Sequence, residues 1–203
     1  MTRRLPHRVA AGYAGVALLL GLTACGTGSP PSAPSTAAAE PAAPTTNSPF
    51  PPRPVELRLD RVDPCALLTS AQEGQLGVKQ VGRDNNSDAL GSAACQWGNN
   101  GGKPDNRWLG RLIVKRGADY ALTSSTGTQV VQVDGFSAVQ TTSPYGDPKT
   151  HCILLVDVAQ GESLWAEYDN IAGDYPGINH QVACQLTQRA AEFMVQNLRV
   201  LAR

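Results

Sequence analysis

The clearest indication of the fold lies in residues 129–140, QVVQVDGFSAVQ. Two strand-like segments, Gln129 to Val133 and Phe136 to Gln140, flank the dipeptide Asp134-Gly135. An Asp-Gly pair favours a two-residue turn in which both central residues have positive φ, and that turn joins antiparallel strands. The stretch therefore predicts a β-hairpin, and it is the strongest hairpin signal in the chain.

Segments on both sides of this hairpin have the same character. Strand-like residues run from Ala93 to Trp97 and from Trp108 to Lys115, with turn residues at Asn99 to Gly102 between them. After the hairpin, His151 to Val158 is rich in β-branched residues, and Ser163 to Tyr168 follows a short turn. Together these segments predict an antiparallel meander of about five to seven strands.

Helices are predicted at both ends of this sheet. Near the start, Asp63 is a good N-cap, Thr69 begins a capping box, and Gly77 ends the second of two short helices. Near the end, one apolar stripe has helical spacing and consists of Val182, Leu186, Ala190, Phe193 and Leu198. The fold class is therefore α+β, an antiparallel sheet with short N-terminal helices and a long C-terminal amphipathic helix packed on it.

The N-terminus has the composition of an exported protein. Three arginines precede an apolar run, Val9 to Gly21, and this run is shorter than the roughly 20 residues that span a bilayer as a helix. It ends in Leu22-Thr23-Ala24-Cys25, which is similar to a bacterial lipobox. We therefore predict a lipoprotein signal peptide at residues 1–24 and lipidation of Cys25, which becomes the first residue of the mature chain.

Residues 25–54 are predicted to form a lipid anchor and a flexible linker. Nine of the fifteen prolines fall here among Ala, Ser and Thr, and such a segment buries too little apolar surface to offset its ordering entropy. As a coil its ends lie about 30 Å apart. A single domain, residues 55–203, is expected to begin where Val55, Leu57 and Leu59 alternate with charged residues, as in a short strand.

Lipidation at Cys25 predicts how the mature chain is held. A diacylglyceryl group carries two acyl chains, and two chains anchor firmly whereas one binds only marginally. We expect a cell-membrane lipoprotein, held through the lipid on Cys25, with its domain on the extracytoplasmic face. Without residues 1–24 the chain has 14 basic and 17 acidic residues, a net charge of −3, which gives no electrostatic case for a nucleic-acid partner.

The remaining cysteines are Cys65, Cys95, Cys152 and Cys184. An even number in an oxidising compartment predicts two disulfides, although four cysteines allow three pairings. We favour Cys65–Cys95 and Cys152–Cys184, each of which closes a loop of about 30 residues and stabilises the fold by about 3–4 kcal/mol in the chain-entropy model. A metal site is disfavoured because the domain has no C-x-x-C spacing and only two histidines, and no cofactor is predicted.

Several of these segments together resemble a known family. The landmarks, in chain order, are Asp63-Pro64-Cys65-Ala66-Leu67-Leu68-Thr69, Cys95-Gln96-Trp97, Gly135-Phe136-Ser137-Ala138-Val139, Cys152, and Cys184 before the final helix. Their arrangement resembles the lipoproteins of actinobacterial envelopes that carry domain of unknown function 3558, over roughly residues 60–200 plus the lipobox. The resemblance implies a secreted, lipid-anchored α+β domain. It implies no substrate, because the family has no agreed activity.

No catalytic residue is predicted. The chain lacks the G-x-S-x-G elbow of serine hydrolases. His151 adjoins Cys152, but neighbours along a strand point to opposite faces, and Cys152 is expected to lie in a disulfide. A glycosidase needs two carboxylates across a cleft, whereas we expect the acids here to cover the solvent face of the sheet. These acids are Asp157, Glu162, Glu167, Asp169 and Asp174.

Aromatic residues are the remaining candidates for a binding site. In the simplest interpretation the tryptophans pack in the core. The alternative is a binding surface of Trp97 with the loop residues Tyr145 and Tyr175, contacting an envelope protein, a glycan or a lipid. We therefore expect a non-catalytic binding or accessory domain. Two other functions stay open, an envelope hydrolase with an unrecognised active site and a carrier of a lipid-like ligand.

Overall fold

The structure is a computed structural model that describes residues 48–84, 92–125, 127–142 and 147–203. The predicted signal peptide, Cys25 and linker residues 26–47 lie outside the described residues. The strands are β1 (Gln80–Asp84), β2 (Ala93–Gly98), β3 (Asn106–Ile113), β4 (Gln129–Val133), β5 (Phe136–Thr141), β6 (His151–Ala159) and β7 (Glu162–Asn170). The helices are a 3₁₀ helix (Pro64–Leu67), α1 (Ser70–Leu76), α2 (Tyr120–Ser124) and α3 (His180–Leu201).

The seven strands form one antiparallel sheet in the order β1-β2-β3-β7-β6-β5-β4. The predicted α+β class, with a long C-terminal helix packed on an antiparallel sheet, is confirmed. The sheet is not one continuous meander, because the chain crosses from β3 to the far edge before β4 begins. Two meanders, β1–β3 and β4–β7, are instead joined by the pairing of β3 with β7.

Local sequence signals set the turns and helix ends. Between β4 and β5, Asp134 and Gly135 have φ values of 47° and 84°, as the predicted hairpin turn requires. Asp63 caps the 3₁₀ helix, and Thr69 forms the predicted capping box of α1. Gly77, with φ 73°, ends α1 in the left-handed conformation that glycine adopts without steric cost.

The main core lies between the sheet and α3. Its largest fully buried side chains include Trp97, Trp108, Phe136, Leu154, Leu164, Tyr168 and Met194. The Tyr168 ring lies edge-on to Trp108 with ring centroids 5.5 Å apart, and its hydroxyl donates to Asn106 Oδ1 at 2.6 Å. Full burial of each large apolar side chain is worth about 1.5–3 kcal/mol, so this layer is what holds α3 to the sheet.

Both disulfides favoured from the sequence are present. Cys65–Cys95 joins the 3₁₀ helix to β2, with a Cα–Cα distance of 5.0 Å. Cys152–Cys184 joins β6 to α3, also with a Cα–Cα distance of 5.0 Å. The predicted pairing is confirmed, and α3 is covalently linked to a strand that it covers.

The sheet face opposite α3, which we call the distal face, is partly covered by a second apolar cluster. The cluster consists of Phe50, Ile113, Ala118, Ala121, Val139, Ile153 and Leu155. Phe50 is only 7% exposed, and Arg53 Nη2 donates to Asp157 Oδ1 at 2.8 Å. Phe50 and Arg53, which belong to the linker by composition, therefore pack against the folded domain. The buried ring and the ion pair compensate for ordering a segment whose composition suggests a coil.

The segment from Val55 to Leu59 is not a strand, which corrects a second expectation. Leu57 and Leu59 are both buried, as their alternation suggests. Leu57 N donates to Val158 O at 2.9 Å, but Leu59 N donates to the Glu162 carboxylate at 2.8 Å instead of to a neighbouring strand. The alternation therefore marked burial rather than sheet pairing.

Two of the acids expected on the solvent face are buried. Asp157 is 3% exposed and Glu162 is 7% exposed. Glu162 accepts a hydrogen bond from Arg58 Nη1 at 2.7 Å, and Asp157 contacts Arg53. Burial raises the pKa of the Asp157 carboxyl, and the contact with Arg53 offsets only part of that effect. Sequence reasoning missed these pairs because both partners come from the N-terminal segment.

Gly110, in the middle of β3, allows three elements to meet in the core. A Cβ at this position would lie 3.1 Å from Leu67 Cδ1, 3.1 Å from Trp97 Cζ3 and 3.2 Å from Met194 Cε. All three neighbours are fully buried, so none can move aside into solvent.

We expect Gly110→Ala to lower the free energy of unfolding by about 1–3 kcal/mol, the usual cost of overpacking a core. Gly74→Ala in α1 is the matched control, because its Cβ meets no atom within 4 Å and alanine is the better helix former. Urea denaturation measures both variants. Equal stability of Gly110→Ala and the wild type would contradict this packing argument.

The Cys65–Cys95 disulfide tests how the N-terminal helices are held. Replacing both cysteines by serine should lower the unfolding free energy by about 3–4 kcal/mol, because the disulfide closes a loop in the unfolded chain. Non-reducing peptide mapping of the wild type should recover the Cys65 and Cys95 peptides linked together. A linked pair of Cys65 and Cys152 would overturn the assigned connectivity.

Candidate functional site

The distal face carries a network of charged side chains beside the Phe50 cluster. The register places Arg107 of β3 opposite Asp169 of β7, and Asp169 opposite His151 of β6. Arg107 Nη2 lies 2.9 Å from Asp169 Oδ2 and 3.6 Å from Glu167 Oε1. His151 Nε2 lies 3.2 Å from the same Glu167 oxygen, and Trp165 Nε1 donates to Glu167 Oε2 at 2.9 Å.

Glu167 is the centre of this network. Burial alone would raise the pKa of its carboxyl, but the hydrogen bond and charge of His151, the indole N–H of Trp165 and the charge of Arg107 more than offset burial, so the pKa lies below its ordinary value. Glu167 is therefore held as a carboxylate by its neighbours. Its oxygens are occupied by protein donors, which makes the network a structural element rather than an exposed acid–base pair.

A polar cavity of about 290 Å³ adjoins this network, and we call it the β1–β3 pocket. Its lining includes Gln80, Gly82, Gln96, Gly98, Arg107 and Ile171. In the β1–β2 register Gln80 faces Gly98 and Gly82 faces Gln96. These four residues form a rectangle on one face of the sheet, with the two glutamine side chains at diagonally opposite corners. At the other two corners the glycines have no side chain and leave the backbone exposed.

The loop between β2 and β3 forms one wall of this pocket. Asn99 Nδ2 donates to Pro104 O at 2.6 Å, and Asn106 N donates to Asn99 Oδ1 at 3.1 Å. Asp105 N donates to Asn170 Oδ1 at 3.1 Å, which ties the loop to the end of β7. Because these bonds fix the loop to neighbouring strands, the wall is formed without a ligand.

Several polar groups in the pocket have hydrogen-bonding capacity to spare. The side-chain amides of Gln80 and Gln96 make no hydrogen bond to any residue that the structure describes. Arg107 makes one hydrogen bond to its two neighbouring carboxylates, from Nη2 to Asp169 Oδ2, although a guanidinium has five N–H donors. The pocket therefore presents amide donors, amide acceptors and guanidinium donors around a bare floor.

A second concave surface runs beside α3. This groove, of about 510 Å³, lies between Gln140 on β5 and the helix residues His180, Gln188 and Glu192. Gln188 Nε2 donates to Gln132 O at 2.9 Å and to Glu192 Oε1 at 2.8 Å. The Gln188 amide is thus already used within the protein, in contrast to the amides of Gln80 and Gln96 in the β1–β3 pocket.

The aromatic surface predicted from the sequence is not supported at its central residue. Trp97 is fully buried and its indole N–H donates to Glu73 at 3.1 Å, so this prediction is corrected. Trp97 takes this place because it faces the core side of β2, where α1 covers it. Tyr175 is half-buried, whereas Tyr145 and the predicted lipidation residue Cys25 lie outside the described residues.

The predicted separation of His151 and Cys152 is confirmed. Cys152 is bonded to Cys184 under α3, whereas the His151 ring pairs with Glu167 on the distal face. Within the ranges that the structure describes, no group of three or more His, Cys, Asp or Glu residues could hold a metal ion. No helix in the same ranges is long and apolar enough to span a bilayer.

Sequence reasoning missed the residues of the β1–β3 pocket. Gln80 and Gly82 lie on a short, polar edge strand, and such a strand has little periodic signal in the sequence. Gly82 and Gly98 were the available clue, since glycine inside a strand often marks a close approach of a ligand or of another backbone.

These features define a class, a disulfide-linked α+β domain with one helix across a seven-stranded antiparallel sheet and a polar pocket on the other face. The chain belongs to the family described as Protein of unknown function (DUF3558), whose model matches residues 20–197. The resemblance to this family seen in the sequence is thereby confirmed. No curated protein and no solved structure matches the chain.

The Glu167 network predicts a stability effect that depends on pH. Because the pKa of Glu167 is lowered in the folded state, its stabilisation is present above the unfolded value of about 4.3 and is lost as the pH falls through the folded value. Glu167→Gln should therefore cost about 1.5–3 kcal/mol at pH 7, the range for a hydrogen bond to a charged group, and less at pH 3. Urea unfolding at each pH measures the difference.

Asp174→Asn is the control for this measurement, because Asp174 is exposed and takes part in none of these contacts. Its stability difference from the wild type should be small at every pH. A difference for Glu167→Gln that stays constant from pH 7 to pH 3 would show that the carboxylate charge is not what stabilises the network.

Proposed function

We propose that the protein is a lipid-anchored lipoprotein of the extracytoplasmic membrane face, and that its domain binds an envelope component without catalysis. The observation that carries this proposal is the combination of a lipobox-like leader with a domain that contains two disulfides. The leader ends in Leu22-Thr23-Ala24-Cys25. The disulfides are Cys65–Cys95 and Cys152–Cys184.

The disulfides support the extracytoplasmic location. Thiols in a reducing cytoplasm stay reduced, whereas exported proteins keep their disulfides. All four cysteines of the domain are paired, which leaves Cys25 as the one cysteine of the chain outside these pairs. That distribution fits a Cys25 reserved for lipid and a domain that folds after export.

The length of chain after Cys25 fits a tether. Between Cys25 and the buried Phe50 lie 24 residues, which as a flexible coil have ends about 25–30 Å apart. A domain on such a tether samples the space next to the membrane, and its effective concentration there is high. A component of the envelope is therefore a more fitting ligand than a dilute soluble metabolite.

The chemistry of the β1–β3 pocket favours binding over catalysis. Its lining includes side-chain amides, exposed backbone, the arginine that is paired with Asp169, and one carboxylate, Asp105. Asp105 accepts a hydrogen bond from Gly101 N at 3.3 Å, and the described lining holds no serine, cysteine or histidine that could act with it as a nucleophile or a second acid–base group. A lipid carrier would need an apolar cavity between the sheet and α3. The described side chains at that interface, such as Leu154, Ala191 and Met194, are fully buried against one another.

Replacement of Cys25 by alanine tests the anchor. The variant should lose the diacylglyceryl group, because the thiol sulfur is the attachment atom, and the domain should move from the membrane fraction to the soluble fraction. Fractionation with intact-mass measurement of the mature chain gives the result. Ser29→Ala, four residues away in the linker, is the control and should stay in the membrane fraction with its lipid mass.

Membrane retention of Cys25→Ala with an unchanged mature mass would contradict the lipoprotein proposal. Export is tested in the same samples, because non-reducing peptide mapping should find both domain disulfides in the wild type and in Ser29→Ala.

A further inference from the structure

We propose that the β1–β3 pocket is a carbohydrate site that binds an uncharged sugar ring of an envelope glycan. This inference rests on the proposed function, since it names the ligand class of that binding domain. It starts from the two glycines, Gly82 on β1 and Gly98 on β2, whose Cα positions form the floor of the pocket.

The fold does not require glycine at these two positions. Neither residue has a positive φ. A Cβ at Gly82 would meet no described atom within 4 Å, and a Cβ at Gly98 would make only ordinary contacts, 3.6 Å from Asn106 O and 4.0 Å from Asn100 N. This contrasts with Gly110, where the core leaves no room for a Cβ. Glycine weakens a strand interior, and it often marks a place where a ligand approaches the backbone closely.

The groups around the floor match the hydroxyls of a sugar. Each hydroxyl both donates and accepts a hydrogen bond, and each glutamine amide offers two donors and an acceptor. Gln80 and Gln96 stand at opposite corners of the floor with their amides unused by the described protein. Arg107 adds further N–H donors, and its contact with Asp169 fixes the guanidinium in place. Ile171, 56% exposed, supplies an apolar contact at the side.

The charges at the pocket argue against an ionic ligand. Arg107 already lies within 3.6 Å of two carboxylates, Asp169 and Glu167, and His151 pairs with the same Glu167. A third carboxylate, Asp105, lines the pocket itself, so an anion would meet net negative charge. The Asp105 carboxylate in the loop accepts a hydrogen bond from Gly101 N at 3.3 Å, and no metal-binding group exists among the described residues. A neutral ligand with many hydroxyls fits this balance.

Size and position agree with this ligand class. The cavity of about 290 Å³ is at the small end of ligand pockets and accommodates about one or two sugar rings. Its lining comes from three neighbouring strands and the β2–β3 loop, whereas an added peptide strand would pair along the edge of β1 alone. A terminal sugar unit of a longer glycan can enter such a pocket while the rest of the chain stays in solvent.

Gly82→Val tests the floor directly. The full-length mature protein, extracted from membranes in detergent, is titrated with maltose, cellobiose, chitobiose and α-1,6-mannobiose, and ring-proton contacts are read by saturation-transfer difference NMR. We expect at least one disaccharide to bind the wild type and Gly82→Val to weaken it by about tenfold or more, a change of about 1.4 kcal/mol, because the valine side chain fills the floor.

Two further variants separate shape from hydrogen bonding. Gln96→Leu keeps the size of the side chain but removes the amide, and should also weaken binding. Gly74→Val is the matched control, because the same substitution in α1 meets no described atom within 4 Å and lies away from the pocket. It should bind as the wild type does. Circular dichroism of all variants confirms that each is folded.

Three results overturn the carbohydrate site. They are no binding of any disaccharide to the folded wild type, unchanged binding in Gly82→Val, or unchanged binding in Gln96→Leu. None of them touches the anchor proposal, which stands or falls with the fractionation of Cys25→Ala. A failed sugar site is thus distinguishable from a failed lipoprotein assignment.

Discussion

The pairing of β3 with β7 is the interaction on which the rest of the structure depends. It runs without a break from Asn106 opposite Asn170 to Ile113 opposite Ser163, and it makes one sheet out of two meanders that each fold from local hairpins. On one face this register places the Tyr168 ring edge-on to Trp108 in the core. On the other face it brings Arg107 to Asp169. A register shift of one residue would exchange the two faces and destroy both arrangements.

The two faces of the sheet differ in the side chains that they carry, and we infer that they differ in role. The face under α3 is apolar and closely packed against the helix, and both disulfides lie there. Its residues therefore stabilise the fold. The distal face divides into the Phe50 cluster, the Glu167 network and the β1–β3 pocket. In the pocket, the Gln80 and Gln96 side chains keep donors and acceptors that no described residue uses. The rigid, covalently linked face thus supports a face that is available for recognition.

The sequence was sufficient for features that depend on neighbouring residues. The Asp134-Gly135 hairpin, the Thr69 capping box, the long C-terminal helix and the class of the fold all follow from local signals. The buried face of that helix does not, because of the five residues of the predicted stripe only Ala190 and Leu198 are buried. Features that depend on partners distant in the chain were not accessible in the same way. The burial of Asp157 depends on Arg53, and the pocket depends on the register of β1 against β2. Trp97 was ambiguous because a tryptophan in a strand suits either face, and only the position of α1 decides it.

The docking of the N-terminal segment has a mechanical consequence. Arg53 holds Asp157 near the end of β6, and Leu57 N bonds to Val158 O on the same strand. Strand β6 lies inside the sheet, between β7 and β5. Tension along the N-terminal chain therefore enters the sheet through an interior strand, where hydrogen bonds on both sides share the load. Three strands, β2, β3 and β7, separate β6 from the edge strand β1. The pocket on β1 and β2 is therefore remote from the point at which the chain pulls on the sheet.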